Sequence, residues 1–109
     1  LHDATSFSEI HLIEDLGLCP RGQGGPFTES GATARGGTIP VNVSGGLLSK
    51  GHPVRATGIM MLHELCLQLR GDAGELQIPD VKLALAENGG GLVGYDYAMT
   101  AVTILEGPR

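Results

Sequence analysis

The sequence has no tryptophan and few aromatic or basic residues. Phe and Tyr make up 4% of its 109 residues, and 7 Lys and Arg stand against 12 Asp and Glu, for a formal net charge of −5. This balance argues against a nucleic-acid-binding surface, because Lys and Arg neutralise the phosphate backbone. No apolar run reaches membrane-spanning length, so we expect no membrane span. The chain also does not start with the charged-then-apolar pattern of a signal peptide.

Cysteine is scarce as well, with Cys19 and Cys66 far apart and no CxxC pair. This usage predicts free thiols in a reducing, cytoplasmic compartment, and neither a disulfide framework nor a metal site. Cys19 has only Arg21 as a nearby cation that would activate it as a nucleophile. We therefore predict that Cys19 has a structural role.

Glycine is abundant, with 18 residues, and apolar residues make up 41% of the chain, which excludes wholesale disorder. A length of 109 residues allows one domain with a modest core. Hydrophobic patterning and turn residues indicate an α/β class. The predicted elements are helices at residues 6–16 and 54–70, a loop at 19–38, and strands at 39–43, 81–86 and 98–105.

Several local patterns refine these elements. Ser6 and Glu9 have the spacing of a capping box at the start of the first helix. The second helix is apolar around nearly its whole circumference, which predicts burial on most sides. The last two strands are near-continuously apolar, as in strands buried on both faces. ENGGG at residues 87–91 is predicted to be a turn between them, with Tyr95 and Tyr97 in the connection, where either could pack or reach a pocket.

The most informative stretch is SGGLLSKGHPVRATG, residues 44–58. Pro53 suits the first turn of a helix, where no amide donor is needed. His52 would then lie just ahead of that helix, beside free amides and the positive end of the helix dipole. Such a site can hold an oxyanion or a phosphate. The alternative is a capped helix whose histidine only hydrogen-bonds its neighbours.

Three ordered motifs resemble those of the thiolase superfamily. NVSGG at residues 42–46 and GHPVRATG at 51–58 are similar to N-x-S-G-G and G-H-P-x-G-A-[TS]-G. His2 and Asp3 are similar to the start of H-D-C-F in the sterol-carrier-protein-2 type of thiolase and thiolase-like lipid-transfer proteins. ENGGG lies where many members have C-x-G-G-G. The resemblance spans nearly the whole chain and indicates the C-terminal lobe.

The resemblance implies part of a layered αβαβα fold with a mixed sheet and a buried central helix. Residues 1–109 would form a partial C-terminal lobe, without the N-terminal lobe that carries the family's nucleophilic cysteine. We therefore expect either a fragment of a longer chain or a subunit that completes its fold with a partner, as a homodimer or hetero-oligomer. The family also implies a cytoplasmic location, or a peroxisomal one in a eukaryote.

The resemblance also implies site residues. His52 would donate a hydrogen bond to the oxyanion of a thioester, and His2 would complete that donor set, since an imidazole can donate to an anion. The predicted substrate-binding residues are Gly46, Gly51, Asn88 and Gly89. Coenzyme A thioesters are expected as substrates, with no separate cofactor.

This sequence departs from the family pattern at three positions. Glu87 and Ala4 stand where family members have cysteines, so both thiol candidates for acid/base chemistry are missing. Glu87 could act as the base if burial raises its pKa, or it could be a structural carboxylate bonded to the amides of the following glycines. Arg55 stands where the family prefers glycine, where it could meet a phosphate or hinder access.

Three functions follow from these observations. The first is a lobe of an acyltransferase that makes or breaks a carbon–carbon bond next to a coenzyme A thioester, of the acetyl-CoA acetyltransferase type. The second is a thiolase-like retro-aldolase, or lyase, that works on CoA esters with an OB-fold partner. The third is a non-catalytic thiolase-like subunit. In each case we expect this chain alone to be inactive.

Overall fold

The computed structural model describes residues 1–107, so the last two residues of the predicted 1–109 lobe lie outside it. Its helices are α1 (Ser6–Asp15), α2 (Gly24–Glu29), α3 (Gly46–Lys50) and α4 (Thr57–Arg70), and its strands are β1 (Leu83–Val93) and β2 (Asp96–Glu106). The predicted α/β class is confirmed. The chain divides into two compact units, Leu1 with Asp3–His52 and His2 with Pro53–Arg109.

In the first unit, α1 forms where the first helix was predicted, and it buries Leu12 and Ile13. The cap differs from the prediction, because Thr5 and not Ser6 is the N-cap residue. The Ser8 amide donates to Thr5 Oγ1 at 3.1 Å. Thr5 is extended and still points its hydroxyl at the first turn, which is the geometry of an N-cap.

The predicted loop at residues 19–38 contains a short helix, α2, although its glycines and prolines disfavour a regular element. Both Glu14 carboxylate oxygens accept backbone amides here, from Gly22 at 2.8 Å and from Gly24 at 2.7 Å. These bonds hold the pKa of Glu14 below its usual value. A Cβ at Gly24 would lie 2.7 Å from the Ile10 carbonyl oxygen, so glycine allows α2 to approach α1.

The strand predicted at residues 39–43 does not form. Two backbone bonds fold this segment onto the preceding loop, from the Ile39 amide to the Ala32 oxygen and from the Val41 amide to the Thr33 oxygen. Pro40 has no amide to extend the pairing, and Asn42 has a φ of 46°. Both features prevent a regular strand, although the apolar residues are typical of one.

In the second unit, β1 and β2 form an antiparallel hairpin. The register runs from Leu83 opposite Glu106 to Val93 opposite Asp96. The turn therefore consists of Gly94 and Tyr95, and the prediction of a turn at ENGGG is wrong. A two-residue hairpin loop favours glycine at its first position, and Gly94 has a φ of 64°. As a result Tyr97 lies in β2 and only Tyr95 lies in the turn.

Helix α4 begins at Thr57, three residues later than predicted, and ends at the left-handed Gly71. Pro53 instead opens a turn in which its carbonyl accepts the Ala56 amide at 2.7 Å. Near the end of α4, the buried Gln68 side chain holds the connector that follows the helix. Its Nε2 donates to the Leu76 oxygen at 2.8 Å, and its Oε1 accepts the Ile78 amide at 2.9 Å.

The predicted burial of α4 on most sides, and of both strands on two faces, is not reached within this chain. Only Thr57 and Gln68 of α4 are buried, and Ile59 is 74% exposed. In β2, Met99 is 78% exposed and Ile104 is 66% exposed. A continuous apolar pattern is typical of complete burial, whereas one hairpin and one helix cover only part of each other's apolar surface.

Candidate functional site

Asp3 is nearly completely buried in the first unit and ties the start of the chain to α3. Its Oδ1 accepts the Leu47 amide at 2.7 Å. Gly46 has a φ of 59°, and a Cβ there would overlap the Asp3 carboxylate. Glycine is therefore required at position 46, the second glycine of the NVSGG motif, for a structural reason that is independent of its predicted substrate-binding role.

Asn42 of the same motif lies in a second polar contact. Its amide donates to Glu9 Oε2 at 3.1 Å. Burial raises the pKa of Glu9, and the Asn42 bond partly offsets this shift. Two motif residues of the first unit, Asn42 and Gly46, thus contact carboxylates from the beginning of the chain.

His2 belongs to the second unit and is held at two points. Its backbone amide donates to Glu87 Oε2 at 3.4 Å. Its ring Nδ1 lies 3.3 Å from the Tyr97 hydroxyl, and the two rings form a T-shaped pair with centroids 5.6 Å apart. His2 is only 5% exposed, so the ring is fixed in a mostly dry environment.

Glu87 is the most buried carboxylate of the second unit, at 1% exposure. Burial raises the pKa of Glu87, and the hydrogen bond from the His2 amide opposes that shift. Its other oxygen, Oε1, is buried and has no hydrogen-bond partner among the described residues. Oε1 therefore does not make the predicted bonds to the following glycine amides. Burial raises the pKa of this carboxyl and favours its protonated form over the carboxylate.

Asn88 and Gly89 follow Glu87 in β1. Asn88 Oδ1 is also buried without a hydrogen-bond partner in the described part of the chain. A Cβ at Gly58, in the first turn of α4, would lie 3.3 Å from Asn88 Nδ2. A Cβ at Gly89 would lie 2.7 Å from Tyr97 Cδ2, so glycine is needed for the tyrosine ring to lie across the strand.

His52 and Gly51 lie at the end of the first unit, in an exposed segment between α3 and α4. The structure corrects the expectation that His52 directly precedes a helix, because α4 begins only at Thr57. The oxyanion role of His52 does not depend on a helix dipole and stays a prediction. The same holds for the predicted substrate-binding role of Gly51.

Of the predicted site residues, His2 contacts Glu87 through its backbone amide, and its ring contacts Tyr97, which lies over Gly89. Asn88 follows Glu87 in β1, but its side chain lies near Gly58 of α4. The sequence does not assign Tyr97 to packing or to a pocket, because the predicted turn at ENGGG puts this residue in a connection and not in a strand. The glycine of Gly94-Tyr95 is itself a turn signal, and a two-residue turn there places Tyr97 in a strand, opposite Leu92. Across residues 1–107, no three His, Cys, Asp or Glu side chains are grouped so that they could hold a metal ion.

The fold and the site together define an α/β module in which a helix packs on a hairpin, and the first strand of the hairpin carries a buried carboxyl that accepts the amide of a histidine. Residues 1–106 match the family model described as "Thiolase C-terminal domain-like". The chain therefore belongs to this family, as the motifs had indicated.

Individual relatives agree with the family model. Sterol carrier protein 2 of Bos taurus is 50% identical over 91% of this chain and 19% of its own length. Acetyl-CoA acetyltransferase of Methanothermobacter thermautotrophicus is 45% identical over 86% of this chain and 24% of its own length. The benzoylsuccinyl-CoA thiolase subunit BbsB of Thauera aromatica is 37% identical over 84% of this chain and 24% of its own length.

The chain spans only 16% to 24% of the length of these and similar curated relatives. None of the helices within residues 1–107 is both long enough and apolar enough to cross a bilayer. The family is thus established for this segment, and the activity of a whole protein is a separate question.

Proposed function

We infer that this chain supplies part of the active site of a thiolase-like enzyme that makes or breaks a carbon–carbon bond next to a coenzyme A thioester. The observation that carries this proposal is the buried Glu87 carboxyl, with one oxygen held by the His2 amide and the other without a partner among the described residues. Family membership supports the reaction class. Two of the relatives are named as an acetyl-CoA acetyltransferase and a CoA thiolase subunit.

In this proposal Glu87 moves the proton on the carbon next to the thioester. Removing that proton leaves negative charge on the thioester oxygen, and His2 and His52 would donate hydrogen bonds to it. The carbanion then attacks an acyl group held on a cysteine of the other lobe, and the cysteine thiolate leaves. Burial favours Glu87 for this task because a carboxyl with a raised pKa is a stronger base than an ordinary one.

A lyase is the second candidate, and one observation favours it. Neither position where family members carry a thiol has one here, since Ala4 and Glu87 occupy them. In a retro-aldol cleavage the base would take the proton of a β-hydroxyl group, the carbon–carbon bond would break, and a carbonyl compound would leave the enolate of the CoA ester. This chemistry needs neither of those thiols, and we would expect an OB-fold partner.

The test starts from the native assembly. An affinity tag on this chain in its own host retains any polypeptide joined or bound to it, and intact mass spectrometry identifies a longer parent chain or a partner subunit. The purified material is incubated with acetyl-CoA and searched for a covalently retained acetyl group, and condensation is then measured. Glu87→Gln should lower the condensation rate by about 10²–10⁴-fold.

Glu106→Gln, an exposed glutamate of the same hairpin, is the matched control and should leave the rate unchanged. Release of an aldehyde or ketone from a β-hydroxyacyl-CoA, with no retained acyl group, would replace the transferase by the lyase. If the assembly turns over neither substrate, or if Glu87→Gln is as active as Glu106→Gln, the catalytic proposal is overturned in favour of a non-catalytic subunit.

A further inference from the structure

We propose that Tyr97 is a positioning residue that donates its hydroxyl hydrogen to Nδ1 of His2 and thereby keeps the ring proton on Nε2. This inference deepens the proposed function, because it explains how His2 would act as a donor. It is carried by the geometry of three residues within one unit, namely His2, Tyr97 and Gly89.

The contact between the two rings is the first step. Tyr97 Oη lies 3.3 Å from His2 Nδ1, and the rings are nearly perpendicular, at 89°. A neutral imidazole has one donor and one acceptor nitrogen, and the hydrogen bond made by one nitrogen sets the state of the other. The assignment of donor and acceptor in this pair therefore determines the tautomer of His2.

The chemistry of the two groups favours tyrosine as the donor. A phenol has a pKa of about 10, so its O–H is far more acidic than the N–H of a neutral imidazole. The unprotonated imidazole nitrogen is in turn a better acceptor than a phenolic oxygen. With Nδ1 accepting, the proton of the neutral ring resides on Nε2, which is the state that an oxyanion donor needs.

The surroundings hold this pair in place. Any Cβ at Gly89 would lie within 2.8 Å of three atoms of the Tyr97 ring, so the ring lies directly over the glycine backbone. The His2 backbone is fixed separately by its bond to Glu87 Oε2. Glu87 thus holds the backbone of His2, and Tyr97 contacts Nδ1 of its ring.

Nitrogen-15 NMR of the histidine rings in the full chain tests the proposal without any activity measurement. In the wild type we expect His2 Nδ1 to have the shift of an unprotonated acceptor and Nε2 that of a protonated nitrogen. Tyr97→Phe keeps the ring but removes the donor, so both shifts should move toward the average of the two tautomers. Tyr95→Phe, at the exposed turn position, is the control and should leave them unchanged.

Two results would overturn the proposal, namely a protonated Nδ1 in the wild type, and His2 shifts in Tyr97→Phe that equal those of the wild type. The wild-type spectrum decides the first even where a variant folds poorly, and Gly89→Ala, which displaces the Tyr97 ring, gives a second perturbation. The two proposals can fail separately. If NMR shows the proposed tautomer but the assembly turns over no CoA ester, the proposed function is wrong and this inference is still supported.

Discussion

At the scale of single residues, Gly46 shows why a motif glycine is needed in this chain. Its φ of 59° is costly for any other residue, and a side chain would enter the space of the Asp3 carboxylate. The Asp3 carboxylate cannot move away without losing its bond to the Leu47 amide. Backbone strain and packing therefore both require glycine at position 46.

Gly46→Ala should destabilise the chain by more than about 1 kcal/mol, because alanine is strained at a positive φ and also displaces Asp3. Urea unfolding followed by far-UV circular dichroism measures the change. Gly36→Ala is the control, since no atom lies within 4 Å of a Cβ there, and it should have little effect. Equal stability of the two variants would show that the Asp3 contact tolerates a side chain.

Glu87 makes stability depend on pH in a defined direction. Burial raises the pKa of Glu87 in the folded chain, so the folded state holds a proton that the unfolded state has already released. Stability is therefore lost as pH rises from about 4.3, the pKa of an unperturbed glutamate, through the raised value. Above that window the buried carboxylate carries its full desolvation cost.

Glu87→Gln should consequently gain stability relative to the wild type as pH is raised from 4 to 8, and Glu106→Gln should not. Urea midpoints across this range provide the measurement. A wild type that becomes more stable than Glu87→Gln with rising pH would mean that the folded chain stabilises the ionised carboxylate, contrary to the assigned shift.

At the scale of elements, the caps and turns decide where helices and strands begin. The N-cap of α1 is Thr5, one residue before the Ser6 that the spacing of Ser6 and Glu9 indicates. The Thr5 hydroxyl accepts the Ser8 amide. The hairpin turn lies at Gly94 and Tyr95, so the glycines of ENGGG belong to β1. The first difference is a shift of one residue at the cap of α1, whereas the second replaces a predicted turn by strand.

Thr5→Ala should cost about 1 kcal/mol of stability, the usual effect of removing an N-cap side chain. Ser6→Ala, at the position that the capping box had indicated, should cost only a few tenths of this. The two variants differ by one position and one methyl group, and thermal unfolding compares them directly. A larger loss of stability in Ser6→Ala than in Thr5→Ala would show that Ser6, as the capping box predicts, is the cap residue.

At the scale of the whole molecule, apolar side chains are exposed along the hairpin. Leu83, Met99 and Ile104 are between 66% and 78% exposed. Exposed apolar strands with unpaired edges favour association between copies. The two compact units are each stabilised by local contacts, and this apolar surface is the feature that most affects the behaviour of the chain in solution.

We expect the isolated chain to associate as its concentration rises, and Ile104→Lys to reduce that association because it removes an exposed apolar side chain from the strand as well as adding a charge. Light scattering over a concentration series is the measurement. Thr100→Lys adds the same charge at an exposed polar position of β2 and should have the smaller effect. Similar scattering from both variants would assign the effect to net charge alone.

The sequence alone is sufficient to predict the family, the α/β class and the existence of α1, α4 and the final two strands, but not the length of β1, which runs to Val93. These follow from ordered motifs and from hydrophobic periodicity, which are local properties of the chain. It also predicts His2, Glu87 and Gly89 as site residues, and their roles stay predictions. In the structure His2 contacts Glu87 and Tyr97, and Tyr97 lies over Gly89. The motif GHP marked His52, but the helix expected directly after it begins only at Thr57.

Only the tertiary structure decided the remaining features. The segment at residues 39–43 has the composition of a strand, but bonds to Ala32 and Thr33 fold it against a loop. Tyr97 contacts His2 across 95 residues of chain, and a contact of that separation leaves no periodic signal. The same holds for the burial of Glu87, because its desolvation depends on what packs around it and not on its sequence neighbours.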